Sequence, residues 1–198
     1  MAVAVAVDVL VFVFTTTRHG RRPGTATSRA RLRARLTAAH DETVLNSEDY
    51  LYFVDTALDG MIAIVTDLGD DLANRHPDLP GANSPYVIVT HCLGVMRYYA
   101  AQAVAGREVD RDRDAEFRAA GAVAGLVRQA RQVRRQFAAD IATLDPGAPP
   151  RLPVRGPANP TRRTQGGVLQ HVYEELAQHL GQLQITRDVL RAPWARTR

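Results

Sequence analysis

The chain has 198 residues, a length that predicts one domain with enough chain to bury a hydrophobic core. Hydrophobic residues make up 45% and charged residues 23% of the sequence, values close to the globular average that exclude collagen-like, mucin-like and wholly disordered proteins. The formal net charge is +4, and a basic chain raises the question of nucleic-acid binding.

The positive charge is concentrated in the first 40 residues. That segment carries seven Arg against a single acid, Asp8, whereas the remaining 18 Arg face 20 acids. The body is therefore mildly acidic, which argues against a nucleic-acid partner. We predict that residues 1–43 form an Arg-rich leader, either a disordered tail or sequence upstream of the natural translation start. Its apolar run, residues 2–14, is shorter than the roughly 20 residues that cross a bilayer, so we expect no membrane partner.

Apolar residues recur every three to four positions through four later segments, the spacing of one helical face. Asn46 and Ser47 are alternative caps for the first of these segments. The second has the strongest start signal, because Ser84 is a capping residue and Pro85 follows at the first helical position. We predict four helices with these limits: Tyr50 to Pro77, Ser84 to Gly106, Asp114 to Leu144, and Gly167 to Pro193.

The third and fourth helices are separated by a segment rich in proline. Residues 145–167 hold six of the eleven prolines, so we predict an extended connection there. No stretch of the body alternates with period two, and a sheet has little support. We therefore predict an all-α fold: a four-helix bundle over residues 44–192, with a long Pro-rich connection between helices three and four and a tail at 193–198.

Cys92 is the only cysteine, which excludes an internal disulfide and makes the cytoplasm the expected compartment. It lies about 100° around the second helix from His91. We expect its thiol to point away from that histidine and to be packed in the core.

The fourth predicted helix carries three polar residues at spacing i, i+4, i+8, namely His171, Glu175 and His179. Such residues form one ridge on a helix, and this ridge borders the apolar face. Glu175 and His179 can converge on one ion, with His91 of the second helix completing a three-ligand set. Two histidines and one glutamate with an open fourth position are typical of catalytic zinc sites. The alternative interpretation is an exposed Glu175 that makes ordinary pairs on the helix surface, with His179 and His91 as packed core residues.

The segments EELAQHLGQLQITRDVL and SPYVIVTHCLGVMRYY resemble those of the DinB/YfiT-like helical bundles. The sequence is most similar to the metal-binding domain of mycothiol-dependent maleylpyruvate isomerases, over about residues 46 to 192. In that family one histidine on helix two and an ExxxH motif on helix four bind the metal. The resemblance implies that His91, Glu175 and His179 are the metal ligands.

The resemblance also implies an activity. The metal would be zinc or another divalent ion, and it would activate a low-molecular-weight thiol, mycothiol, as a thiolate that attacks an electrophilic substrate. The isomerases carry a further C-terminal domain, whereas this chain ends at Arg198. We therefore expect thiol transfer to an electrophile rather than maleylpyruvate isomerisation itself.

Neighbouring residues add to the expected site. Gln182, one turn after His179, is expected to hydrogen-bond a ligand or to be a plain surface residue. His171 is either an alternate ligand, an acid/base group or a packed histidine. Residues 107–117 have the composition of a solvated loop and helix start, with Arg111 or Arg113 as a candidate contact to an anionic substrate. The competing function is a non-catalytic bundle that binds a metal or small ligand, or that forms a homodimer.

Overall fold

A computed structural model of the chain describes residues 46–154 and 163–192. These residues contain helices and no strand, so the predicted all-α class is confirmed. The predictions for the leader 1–43 and the tail 193–198 concern residues outside this range. The five α-helices of the described residues are α1 (Ser47–Ala73), α2 (Pro85–Ala100), α3 (Arg113–Glu116), α4 (Val123–Asp140) and α5 (Gln165–Arg191).

The four long helices pack as a bundle. Helix α5 lies against both α1 and α2, while α4 covers the other side of α1 and α2. The core between them consists of large side chains that are almost fully buried, with each long helix contributing, for example Met61, Leu93, Phe137 and Leu176. Since α2 and α5 are direct neighbours, the packing brings the helix of His91 onto the helix of Glu175 and His179. None of the described helices is both long and apolar enough to span a membrane.

The helix starts follow the local capping signals. Asn46, one of the two expected caps, accepts a hydrogen bond from the backbone N–H of Asp49 at 2.8 Å. The Ser84 hydroxyl accepts one from the N–H of Val87 at 3.3 Å. Helix α5 begins slightly earlier than predicted, because the Thr164 hydroxyl accepts from the N–H of Gly167 and makes Gln165 the first helical residue.

The predicted end of the first helix at Pro77 is wrong by several residues. Helix α1 is kinked at Gly69, where φ is 66°, a left-handed conformation that glycine adopts without a steric cost. The helix then ends at Ala73. The last turn before Pro77 is therefore non-helical, and apolar spacing gave no sign of the break.

The prediction of one continuous third helix from Asp114 to Leu144 is also wrong. Residues 117–122 are non-helical and separate α3 from α4. The cause is tertiary: the Asp70 carboxylate accepts from the backbone N–H of Val123 at 2.7 Å. Nearby, the Asn74 amide accepts from the N–H of Gly121 at 3.0 Å and donates to its carbonyl at 2.9 Å. The end of α1 thus caps α4 and fixes the loop before it.

The Pro-rich connection is tied to the bundle in its described part. Helix α2 ends in a π-helical turn, Ala101–Ala105. Two of its carbonyls accept hydrogen bonds from the connection, from the N–H of Arg151 to Ala103 at 2.9 Å and from that of Leu152 to Gln102 at 3.0 Å. The long connection is therefore held against the end of α2 rather than passing freely between α4 and α5.

Candidate metal centre

His91 lies on the buried face of α2, where only 6% of the residue is exposed. Its two ring nitrogens face two different carboxylates. Nδ1 lies 3.0 Å from Oε2 of Glu116, and Nε2 lies 3.5 Å from Oε2 of Glu175 on α5. His91 therefore connects the helix α3 side of the bundle with the ridge of α5.

Glu175 also contacts His179 on the next turn of α5. Nε2 of His179 lies 3.4 Å from the same Glu175 oxygen, Oε2. The rings of His91 and His179 are nearly perpendicular, with their centroids 5.2 Å apart. One donor atom from each of these three residues lies within 4.8 Å of the others. The structure thus brings together the three residues that the sequence indicated as ligands.

Two of the three separations between the donor atoms suit a small divalent ion. Zinc binds histidine nitrogen and carboxylate oxygen at about 2.0 to 2.2 Å, and tetrahedral angles then place neighbouring ligand atoms roughly 3.3 Å apart. The two contacts of Glu175 Oε2, at 3.5 and 3.4 Å, are close to this value. The Glu175 and His179 side chains are 26% and 27% exposed, so a ligand has access to the centre from the α5 side.

The charges of the site are set by these contacts. Hydrogen bonds from His179 and His91 hold the pKa of Glu175 far below its usual range, against the opposing effect of burial. Burial by itself lowers the pKa of His91, but its hydrogen bonds to Glu116 and Glu175 and the Glu116 charge outweigh this and raise it. Glu175 is therefore a carboxylate throughout the neutral range, as a metal ligand must be.

His171 lies one turn before Glu175 and contacts its other oxygen. The distance from Nε2 of His171 to Oε1 of Glu175 is 3.5 Å, while Nδ1 lies 3.2 Å from Glu174. Its ring is perpendicular to that of Tyr99 at a centroid distance of 5.2 Å. His171 is not in the three-donor group, and its expected role as an alternate ligand or acid/base group stays a prediction.

Gln182 contacts one of the three candidate ligands, which is one of the two roles that the sequence left open for it. Its Oε1 lies 2.8 Å from Nδ1 of His179, which leaves Nε2 of that ring facing Glu175. A hydrogen-bond acceptor at one ring nitrogen orients a histidine and selects its tautomer. We therefore propose that Gln182 orients His179.

Glu116 is a residue of this site that the sequence did not indicate. It is only 8% exposed, and Arg111 donates to both of its oxygens, from Nε to Oε1 and from Nη2 to Oε2, each at 2.7 Å. Although burial opposes it, hydrogen bonds from Arg111 and His91 lower the pKa of Glu116. Arg111, a candidate substrate contact by sequence, is therefore engaged with Glu116.

The carboxylate of Glu116 needs a glycine on α2 for its position. A Cβ atom built at Gly94 would lie 1.9 Å from Oε1 of Glu116, far inside contact distance. Gly94 follows His91 by three positions and so shares its helix face. The sequence carried only one signal of this contact, namely a glycine on the His91 face of α2 and an acidic residue in the next segment. Periodicity alone does not pair these two residues.

Phe117 covers the outer face of His91. Their ring centroids are 5.1 Å apart, and Phe117 is 36% exposed. The Arg113 guanidinium lies over the Phe117 ring, with Cζ 5.3 Å from its centroid, in the range of a cation–π contact. The segment around α3 therefore forms a wall of the site with an aromatic face and a cation.

Cys92 is completely buried and packed in the core, as expected. Burial raises the pKa of its thiol, and the charges of Glu175 and Glu116 raise it further. A thiol of this kind is a poor nucleophile and a poor metal ligand. Thiolate chemistry at the centre therefore requires a thiol from outside the chain.

One comparison with known proteins gives a match. The family model described as Mycothiol-S-transferase matches residues 49–192, which is well over half of the chain and includes every residue of the centre. No curated protein and no solved structure matches the chain.

Proposed function

The chain belongs to the mycothiol-S-transferase family, and from this premise we propose that it is a metal-dependent enzyme that transfers a small-molecule thiol to an electrophile. A divalent ion would be held by His91, Glu175 and His179. We propose zinc rather than another metal, because two imidazoles and one carboxylate are the typical protein ligands of a catalytic zinc ion. The observation that carries the proposal is the convergence of these three donors within 4.8 Å.

The donor set leaves a role for an exogenous ligand. A zinc ion held by these three residues would keep one position open, which a thiol could take. When bound, the ion supplies Lewis acidity that lowers the pKa of a coordinated thiol and makes it a thiolate at neutral pH. The two histidines would turn one ring nitrogen each toward the ion, and Glu175 would contribute the negative charge that helps to keep a divalent ion there.

The identity of the thiol follows from the chain and the family together. Cys92 is buried away from solvent and is the only cysteine, so the nucleophile comes from a cosubstrate. The family name points to mycothiol, which we propose as that cosubstrate. The half-exposed Phe117 and the nearby Arg113 would contact the thiol or the electrophile. A maleylpyruvate-type isomerisation, in which the thiolate adds and later leaves, is a narrower form of the same chemistry.

We also propose that the protein acts in the cytoplasm. A single cysteine and a low-molecular-weight thiol cosubstrate both fit the reducing cytoplasm.

Metal analysis combined with a thiol-conjugation assay tests the function. We expect about one zinc per chain in the purified protein. We also expect the protein to conjugate mycothiol to a bimane electrophile, and a chelator to abolish this conjugation. Glu175→Gln should lose both the metal and the activity. The matched control is Glu174→Gln, the adjacent acid on α5, whose side chain is 56% exposed; it should keep both.

The outcomes separate the candidate functions. A protein without metal, or conjugation that is indifferent to the chelator, would contradict the proposal. Stoichiometric metal with no conjugation of any thiol would favour the alternative, a non-catalytic metal-binding bundle. The exposed aromatic pair Tyr52 and Phe53 on α1 is the observation that suits a dimer of that kind, and sedimentation analysis of the same samples would detect it.

A further inference from the structure

The two nitrogens of His91 are used on opposite sides. Nε2 faces Glu175 at 3.5 Å, on the side of the proposed metal. Nδ1 faces Oε2 of Glu116 at 3.0 Å, on the side of α3. A neutral imidazole carries one hydrogen, so the nitrogen that donates to a carboxylate leaves the other with a free lone pair.

Arg111 holds the Glu116 carboxylate in a fixed orientation. Arg111 binds both of its oxygens at 2.7 Å, the two-pronged arrangement that gives an arginine–carboxylate pair its directional strength. The Arg111 side chain is itself 11% exposed, and its guanidinium lies 5.9 Å from the centre of the Tyr98 ring. The carboxylate therefore has little freedom to move away from His91.

A competing contact decides between the two tautomers. Nη2 of Arg111 lies 3.4 Å from Nδ1 of His91, and it could donate to that nitrogen if Nδ1 carried no hydrogen. The same Nη2 lies only 2.7 Å from Glu116 Oε2, which is a charge-assisted bond of ordinary length. Glu175 also faces the ring, but its distance of 3.5 Å from Nε2 is longer than the 3.0 Å between Glu116 and Nδ1. The shorter contacts thus favour a hydrogen on Nδ1 that is donated to Glu116.

We propose that Glu116, held by Arg111, is a positioning residue that fixes the His91 ring in the tautomer and orientation that present Nε2 as a metal donor. The inference rests on the proposed metal site. Glu116 acts through His91 and touches neither metal nor substrate. Outer partners of this kind change metal affinity by about 10- to 100-fold when they are removed.

The first test is the metal affinity of Glu116→Gln, measured with zinc against a chromophoric chelator. We expect about a 10-fold weaker affinity, because the neutral amide is a weaker acceptor for the Nδ1 hydrogen. Since this variant leaves Arg111 without its partner and can lose stability, a second variant, Arg111→Met/Glu116→Leu, removes both charges. Replacing a buried ion pair by apolar residues often preserves folding, and here we expect a loss approaching 100-fold.

A second ion pair of the bundle supplies the matched control. Arg107 donates to the buried Asp140 at 2.7 Å, at the far end of α2 from His91. Asp140→Asn removes the charge of a buried carboxylate without touching the site. It should lower thermal stability while leaving zinc affinity unchanged, which separates a positioning role from a merely structural one.

A metal-free measurement keeps the inference distinct from the proposed function. In the wild type without metal at pH 8, the ¹⁵N resonances of His91 should show that hydrogen occupies Nδ1 more than Nε2, and the double variant should lose this preference. Equal zinc affinity in all variants, with tautomers unchanged, would overturn the positioning role alone. A wild type that binds no zinc would overturn the proposed function and this inference together.

Discussion

Nε2 of His91 on α2 lies 3.5 Å from Oε2 of Glu175 on α5. This contact exists because α2 and α5 are direct neighbours in the bundle and because both residues lie on the faces that the two helices share. Ionised carboxylates next to an apolar core are costly unless they are paired or bound to a metal. The contact pairs Glu175 with His91, and it is the point at which we propose that the fold holds a cation.

Zinc binding should depend on pH in a definite direction. Burial alone lowers the pKa of His91, yet hydrogen bonds to Glu116 and Glu175 raise it above its ordinary value of 6.5, while Glu175 stays ionised. Protons then compete with the metal for His91. When the solution is acidified from pH 8.5, the zinc affinity should therefore start to fall before pH 6.5 is reached. Chelator competition between pH 8.5 and 6 measures this, and an affinity that is flat over the range would contradict it.

Gln182→Ala should weaken zinc binding modestly. The substitution removes the acceptor 2.8 Å from Nδ1 of His179. Because Gln182 is exposed, water can replace it, and we expect a loss of at most about 10-fold, the lower end for such partners. The control is Gln178→Ala, another exposed glutamine of α5 that bonds Glu174 instead. If both variants bind zinc equally well, Gln182 does not orient His179.

Gly94→Ala should be harmful although alanine favours helices. The new Cβ would lie 1.9 Å from Oε1 of Glu116, so it must displace that carboxylate from His91. We expect weaker zinc binding and a lower free energy of unfolding. In the control Gly181→Ala the new Cβ meets no atom within 4 Å, and helix propensity should stabilise the protein by up to about 1 kcal/mol. Gains in stability from both variants would show that Glu116 does not occupy the space beside Gly94.

Asp70→Ala should destabilise the bundle through the start of α4. Asp70 accepts the N–H of Val123 at 2.7 Å, and α4 has no side-chain cap of its own. Loss of a capping acceptor costs about 0.5 to 2 kcal/mol. Urea unfolding of metal-free protein should detect this, whereas Asp71→Ala, at the exposed neighbouring position, should change stability by less than about 0.5 kcal/mol. Equal values for the two would refute the capping role.

The four long helices were predictable because each buries one apolar face of regular spacing, and Asn46 and Ser84 marked two of their starts. The break before α4 was not predictable, since its causes, Asp70 and Asn74, lie at the end of a different helix, α1. Periodicity reports what one helix buries. It does not report which side chain of another helix will satisfy a backbone N–H.

In the candidate metal centre too, some residues could be predicted from the sequence and others could not. Glu175 and His179 share a helix, so their spacing could be seen directly. His91 of the second helix was expected to complete the set, and a resemblance to a known family supported the same three residues. Glu116 could not be found in this way, because it looked like one acid among several in residues 107–117 of a solvated segment. Its burial depends on Arg111, which neutralises it, and on Gly94, which makes room for it. Both conditions are three-dimensional.

The zinc content of purified wild type and Glu175→Gln, with Glu174→Gln as the control, tests the central claim most directly. We predict about one zinc per chain in the wild type and in Glu174→Gln, and none above background in a folded Glu175→Gln. Retention of a full equivalent of zinc by Glu175→Gln, or its absence from the wild type after reconstitution, would contradict a metal centre formed by His91, Glu175 and His179.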